Sequence, residues 1–268
     1  DGSIIEEQDA AAKASEWGFE GLEYVSALYY KELQAANFSE EAMAKWVEKS
    51  KAESEKYGLK NLLIMVDGQG DIAVPDEAER TKAVENHYKW VDAAAALGCH
   101  SIRVNLNGSM EPEVWMPASV AGLTQLATYA KDKNINIIVE NHGGPSSNAQ
   151  MLAEVMEKVG MDNCGTLPDF GNFCIKREAG DYYSSECLEE YDKYKGVKEL
   201  MPYAKGVSAK SYNFDENGNE TVIDFERLMD IVIEAGYEGY VGVEYEGSEL
   251  SEEEGILATK KLLEKVLE

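Results

Sequence analysis

Polar side chains able to do chemistry recur in this sequence at the ends of short apolar runs. The run at 135–139 ends in Glu140, with His142 two residues on, and the run at 165–169 ends in Asp169. The segment 206–210 carries Ser208 and Lys210, and the run at 240–243 ends in Glu244, with Glu246 two residues on. Upstream, Glu23 falls in the segment 21–25, Asp67 follows the run 62–66, and Arg103 and Asn105 close the run that starts at Ser101. A spacing of two puts both members of a pair on one face of a strand, because successive strand side chains alternate. Carboxylates converging from separate strands suit a hard divalent ion such as Mg²⁺ or Mn²⁺, and an added imidazole extends the choice to Zn²⁺ or Co²⁺. Strand ends lead into loops and are often polar, which accounts for one or two such residues. An acidic group that closes an otherwise apolar run is less ordinary, and it occurs at Glu140, Asp169 and Glu244 together.

The elements that must position these residues alternate along the chain. Amphipathic stretches at 5–17, 39–57, 76–97, 117–133, 148–159, 186–203, 223–235 and 251–267 read as helices. Each but the last leads into one of seven apolar runs, at 21–25, 62–66, 101–104, 135–139, 165–169, 206–210 and 240–244. Apolar runs separated by helices indicate parallel strands. Gly58, Gly98 and Gly236, each just ahead of a run, fit helix C-caps. The expected class is α/β, a TIM (β/α)8-type barrel in which catalytic side chains lie at the C-terminal strand ends. A doubly wound sheet is the competitor, but no G-x-G-x-x-G follows any run. An eight-stranded barrel needs one more strand before the first helix. That first strand is expected to be missing from this chain, as a truncation. No Pro/Ser/Gly-rich linker divides residues 1–268, so one domain is expected. Residues 171–185 are long for a strand-to-helix connection and would place Tyr182 and Tyr183 where a lid could cover a bound ligand.

Composition bounds the partners. The 25 basic and 51 acidic residues leave a net charge of −26, which repels phosphate backbones and argues against nucleic acid. No run of about 18 apolar residues exists, so no membrane span is expected. The four cysteines (Cys99, Cys164, Cys174, Cys187) have no C-x-x-C spacing and read as scattered reduced thiols. A cytoplasmic location follows from that reading, with the reservation that an export signal ahead of Asp1-Gly2-Ser3 could have been removed. A homo-oligomer is compatible with all of this. His87, inside the 76–97 helix, and His100, at the start of a run, read as structural.

These segments resemble the xylose isomerase-like TIM barrel superfamily, in its sugar phosphate isomerase/epimerase branch. The resemblance is carried by 18–25, 101–105, Val139-Glu140-Asn141-His142-Gly143-Gly144, Gly165-Thr166-Leu167-Pro168-Asp169-Phe170-Gly171-Asn172-Phe173, 206–211 and Gly242-Val243-Glu244-Tyr245-Glu246-Gly247. It spans nearly the whole chain in the expected order and is specific for the superfamily, not for a substrate. It implies a divalent ion (Mn, Mg, Co or Zn) held by a Glu, an Asp, a His and a second Glu on four strands. Glu140, Asp169 and Glu244 match three of these positions, and Ser208 stands where the His is usual. The superfamily's nuclease branch builds a multi-zinc cluster from many histidines, which the three histidines here do not supply.

The resemblance further implies a metal-dependent sugar isomerase or epimerase that abstracts a proton next to a carbonyl and passes through an enediolate. Glu140 and Glu244 become the acid/base pair, with Lys210 stabilising the oxyanion. Arg103, Asn105, His142, Glu23, Asp67, Ser208 and Glu246 become candidate substrate contacts, and the partner is a small sugar or keto-sugar. Two alternatives stay open: a metal-dependent lyase acting on keto-glycosides, whose first step is the same, and a non-catalytic sugar-binding relic.

Overall fold

The structure, a computed structural model, describes residues 7–267. The first strand, expected to be missing from this chain, would precede the first helix, and residues 1–6 there lie outside the described residues. Among the described residues nine strands and nine α-helices follow one another: α1 (Glu7–Glu16), β1 (Gly21–Val25), α2 (Tyr30–Ala35), α3 (Glu40–Lys56), β2 (Lys60–Met65), α4 (Glu77–Leu97), β3 (Ser101–Val104), α5 (Pro112–Lys131), β4 (Asn136–Glu140), α6 (Ala149–Val159), β5 (Cys164–Leu167), β6 (Cys174–Arg177), β7 (Cys187–Glu190), α7 (Lys193–Leu200), β8 (Val207–Ser211), α8 (Phe225–Glu234), β9 (Val241–Tyr245) and α9 (Glu252–Leu267).

Local chemistry sets the helix ends. Ser39, Asp76, Asn148, Asp192 and Asp224 each accept a backbone N–H two or three residues into the helix they start, satisfying a donor left over at the N-terminus. Gly98 ends α4 in the left-handed region, and Gly58 and Gly236 also have positive φ, as their places after helices predicted.

The parallel strands form in chain order. β1 to β5 make one five-stranded sheet in sequence order, and β8 pairs in parallel with β9, Val207 opposite Val241 through Ser211 opposite Tyr245. All seven apolar runs expected to be strands are therefore strands. Contacts cluster into two compact units. The first runs to Ser109 and adds Pro117–Ile138 and Met161–Cys164; the second comprises Met110–Met116, Val139–Gly160 and everything from Gly165 on. In the first unit, Leu63, Ile64, Ile102, Val104, Trp90, Leu123 and Leu126 are buried, with the helices packed on the strands. An edge-to-face group of Tyr24, Trp46 and Trp90 extends that core, ring centroids 5.7–5.9 Å apart. In the second unit, Leu167, Phe170, Phe173, Val197, Leu200, Val207, Ala209 and Leu228 are buried. There isolated parallel bridges join Thr166 of β5 to Ala204 and Asp169, just past β5, to Ser208 of β8.

Two expectations are corrected. The stretch 186–203 is not helical throughout: Cys187–Glu190 is a strand antiparallel to Cys174–Arg177, and the helix starts only at Lys193. Asp192 caps the helix and so fixes its start, while Cys187–Glu190 is exposed along its length and pairs by backbone bonds that an amphipathic pattern does not report. The cysteines are not all reduced thiols either. Cys174 and Cys187 form a disulfide across the hairpin, and only Cys99 and Cys164 are free. Antiparallel pairing brings their Cα atoms to 5.9 Å, a separation that sequence spacing alone could not reveal.

Candidate active site

Glu140 closes β4, Asp169 lies just beyond β5, and Glu244 lies in β9 one residue before its end. One carboxylate oxygen from each lies within 4.8 Å of the other two. Glu140 and Asp169 are buried, and Glu244 is partly open to solvent. Three carboxylates at this separation repel one another unless a cation sits among them. Part of that charge is met by Lys210 on β8, itself 1% exposed. Its Nζ lies 3.3 Å from Glu244 Oε2 and 3.1 Å from Glu246 Oε1, and donates to Asn172 Oδ1 at 3.1 Å.

Asn172 ties the cluster together. Its Nδ2 donates to Glu140 Oε1 at 2.9 Å while its Oδ1 receives Lys210. Its backbone N–H and that of Gly171 both donate to Asp169 Oδ1 at 2.8 Å. Asn141 holds the same turn from β4, accepting from the Asp169 N–H at 2.8 Å and donating to the Asp169 carbonyl at 3.0 Å. Neither asparagine carries charge, so neither stood out in the sequence; the only signal was that both lie inside the family-like segments.

The electrostatics follow from burial and crowding. The Asp169 carboxyl is raised to about 8, first by burial and then by Glu244 and Glu140, against the lowering effects of Lys210 and the Gly171 N–H. Burial would lower the Lys210 ammonium, but Asp169, Glu244, Glu140 and Glu246 together raise it, so it stays charged. Tyr212, next to β8, is raised first by burial and then by Asp169.

The donor set fits a divalent ion. Asp169 Oδ2 is buried and has no hydrogen-bond partner among the described residues, and the same holds for Ser208 Oγ. Ser208 is 1% exposed and shares its strand face with Lys210, two residues on. Buried oxygens left without donors are costly unless something positive meets them.

His142 belongs with the carboxylates by sequence position, and its ring centroid is 4.8 Å from that of Tyr183. Asp67, Arg103 and Asn105 make a network of their own in the first unit. Arg103 Nη1 donates to Asp67 Oδ1 at 2.7 Å and to Asn105 Oδ1 at 3.2 Å, and Asn105 Nδ2 donates to Asp67 Oδ1 at 2.8 Å. Glu23 lies in the middle of β1, opposite Leu63 and beside a register irregularity, rather than at the strand end. Of the two histidines read as structural, His87 Nδ1 lies 2.7 Å from the Ala83 carbonyl, one helical turn back, and His100 Nδ1 lies 2.6 Å from Ser101 Oγ.

The model of the family described as xylose isomerase-like TIM barrel matches residues 11–266. The chain belongs to that family. The barrel class expected from the sequence is accordingly the fold. Solved structures agree: a D-psicose 3-epimerase with D-tagatose from Clostridium cellulolyticum H10 superposes with a TM-score of 0.72 at 14% identity, over 97% of this chain and 93% of that one. The 3-keto-D-glucoside 4-epimerase YcjR from E. coli gives 0.71 at 14% identity over 97% and 95%, and the IOLI protein with a bound zinc atom gives 0.71 at 16% over 99% and 94%. At these identities the likeness is one of fold. Curated relatives match over short stretches. A C-glycoside deglycosidase alpha subunit from Arthrobacter globiformis is 39% identical over 66 residues, which are 24% of this chain and 19% of that protein. A 3'-dehydrocarminate deglycosidase alpha subunit from Microbacterium sp is 40% identical over 48 residues, 18% of this chain and 14% of that protein. The matched stretches thus span less than a fifth of those relatives.

Proposed function

We propose that this chain is a metal-dependent sugar isomerase or epimerase that removes a proton next to a carbonyl and passes through an enediolate. One observation carries the reading: the convergence of Glu140, Asp169 and Glu244 within 4.8 Å around an otherwise unmet buried oxygen of Asp169. The sugar epimerases among the structural neighbours support the substrate class. A divalent ion (Mn, Mg, Co or Zn) held by those three residues would supply positive charge toward a carbonyl and its adjacent hydroxyl and so would acidify the C–H beside the carbonyl. The protein's own groups do the rest. Glu140 and Glu244, on different strands, take the proton from one face of the carbon and return it from the other. Lys210 donates to the developing oxyanion; to do so it must exchange a present partner, and Glu246, the more exposed of its two carboxylates, is the one to yield. Ser208, His142 and Glu246 are assigned to substrate hydroxyls, and Arg103, Asn105, Asp67 and Glu23 to further substrate contacts.

A second reading is favoured by the deglycosidase stretches: a lyase in which the same proton abstraction is followed by loss of a β-leaving group from a keto-glycoside. A sugar-binding relic is the third, and it would hold no metal. In each case the partner is a small sugar or keto-sugar rather than nucleic acid, the 268 residues act as one domain, and a homo-oligomer is allowed. A cytoplasmic location also belongs to the proposal, but the Cys174–Cys187 disulfide weighs against it, because such bonds persist in oxidising surroundings.

Incubation in D₂O with Mn²⁺ and a panel of ketoses, sugar phosphates and 3-keto-glucosides tests the reading. With a true substrate one carbon-bound hydrogen should exchange, and chelation should abolish the exchange. Failure of the whole panel to exchange or turn over, with metal supplied, would sink it.

A further inference from the structure

The hairpin of β6 and β7 is unlike an ordinary surface insertion, because it is fastened at its root, stem and tip. Its root leaves Asn172, whose side chain holds Glu140 and Lys210 while its backbone N–H holds Asp169 Oδ1. The Asn172 carbonyl is itself pinned by Asn141 Nδ2 at 3.2 Å and by Ser147 Oγ at 2.7 Å. Two residues on, Cys174 starts the stem and is bonded to Cys187 on the returning strand. Arg177 crosses the stem, its Nε donating to the Tyr182 carbonyl at 3.0 Å and its Nη1 to the Ser185 carbonyl at 2.6 Å. At the tip Asp181 accepts the N–H groups of Tyr183 and Ser184 at 2.8 and 2.6 Å.

The tip has a seat. Gly143 and Gly144, directly after the Glu140 strand, have φ of +85° and +61°. A Cβ on Gly143 would stand 2.4 Å from the Tyr182 carbonyl oxygen, and one on Gly144 would stand 2.6 Å from the Tyr182 ring. Glycine is therefore needed twice over, for the backbone conformation and for the close approach. Tyr183 lies against the His142 ring, 4.8 Å away, and remains 47% exposed. The hairpin thus touches the site at both ends: through Asn172 at its root, and through the turn that follows Glu140 at its tip.

We propose that residues 172–190 are a redox-latched positioning strap, in which the Cys174–Cys187 disulfide keeps the hairpin seated on Gly143–Gly144 and so holds Asn172, a positioning residue, between Glu140 and Lys210. The latch is within reach of a reductant, since Cys187 is exposed and Cys174 is 8% exposed. Oxidising surroundings close it; thiol–disulfide exchange opens it without breaking any core element. The effect on the carboxylates rests on the metal reading above, whereas the latch itself does not.

Two readouts separate these. Chymotrypsin, with the cut located by mass spectrometry, reports the tip at Tyr182 and Tyr183. Reduction with dithiothreitol, or the double variant C174S/C187S, should speed that cut at least tenfold, and Gly143→Ala should do the same with the disulfide intact. Calorimetric titration with Mn²⁺ reports the site. C174S/C187S and Asn172→Ala should each weaken Mn²⁺ binding about tenfold, the lower end of what residues behind a metal's ligands contribute. Asn172→Ala should leave the chymotrypsin rate unchanged. A wild-type cleavage rate in C174S/C187S overturns the latch. Faster cleavage with wild-type Mn²⁺ affinity in both C174S/C187S and Asn172→Ala overturns the positioning role. A wild-type protein that binds no Mn²⁺ refutes the metal reading instead, and the cleavage rates alone then decide the latch.

Discussion

At the scale of single residues, the two glutamates of the cluster differ in surroundings. Glu140 is buried and receives the Asn172 amide, whereas Glu244 is partly exposed and pairs with Lys210. Each isosteric change, Glu140→Gln and Glu244→Gln, keeps the shape of the site and removes a base, and is expected to lower turnover of the substrate that exchanges in D₂O by about 10²–10⁴-fold. Near-full activity in both would end the acid/base assignment. Ser208 makes a separate prediction. The clustered donors are all oxygen, which favours hard ions; an imidazole at 208 adds a nitrogen donor beside Asp169, its bridge partner. Ser208→His should raise the Zn²⁺-to-Mg²⁺ affinity ratio, read by competitive titration, and an unchanged ratio would mean that position 208 does not face the ion. The three carboxylates were legible in the sequence because an acidic residue after an apolar run is conspicuous. Asn172 and Asn141 were not, since a neutral amide that works through its neighbours leaves no mark in charge or periodicity.

At the scale of elements, apolar runs exposed all seven parallel strands, because a strand covered by helices must be apolar on both faces. The hairpin at 174–190 escaped because it is exposed and held by backbone pairing, a disulfide and side-chain bonds to its own turns, none of which follows a hydrophobic period. Helix α4 carries an element-scale prediction. His87 is 3% exposed on its inner face, among Val84, Trp90 and Val91 of the same helix. Burial lowers its imidazole from 6.5 to about 4; the Ala83 carbonyl raises it, Lys89 lowers it further, and Asp67 raises it. A base with a depressed folded pKa contributes stability above its unfolded pKa and loses it as the medium becomes acidic. The unfolded chain takes up the proton first, so stability should fall between pH about 6.5 and about 4, by on the order of 3 kcal/mol across the window. Urea unfolding of the wild type and of His87→Gln at pH 7 and at pH 4.5 tests this. The variant, less stable at pH 7, should show a smaller acid-induced loss; equal losses in the two proteins would assign the acid sensitivity elsewhere.

At the scale of the whole molecule, contacts gather into two units, yet a single family model spans residues 11–266 and parallel strands follow one another in chain order through both. The boundary falls inside β4, whose Asn136–Ile138 belong to one unit and whose Val139–Glu140 belong to the other. A strand cannot melt over half its length without stranding the backbone groups of the rest, so the chain is expected to unfold as one cooperative body. The metal reading turns this into a measurement. The three carboxylates lie in the second unit, so an ion binding there stabilises the first unit only if the two unfold together. At a free Mn²⁺ concentration of about 100 times Kd, binding to the native state alone adds about 2.7 kcal/mol. For a chain of this size that amounts to a rise in Tm of roughly 5–11 °C. Scanning calorimetry should then show one transition, with calorimetric and van't Hoff enthalpies equal, moving as a whole with Mn²⁺. Amide exchange in β2 and β3 of the first unit should slow together with exchange in β8 of the second. Two transitions, of which Mn²⁺ moves one, would show that the chain is two domains joined through a strand, and the single-domain reading of residues 1–268 would fall with it.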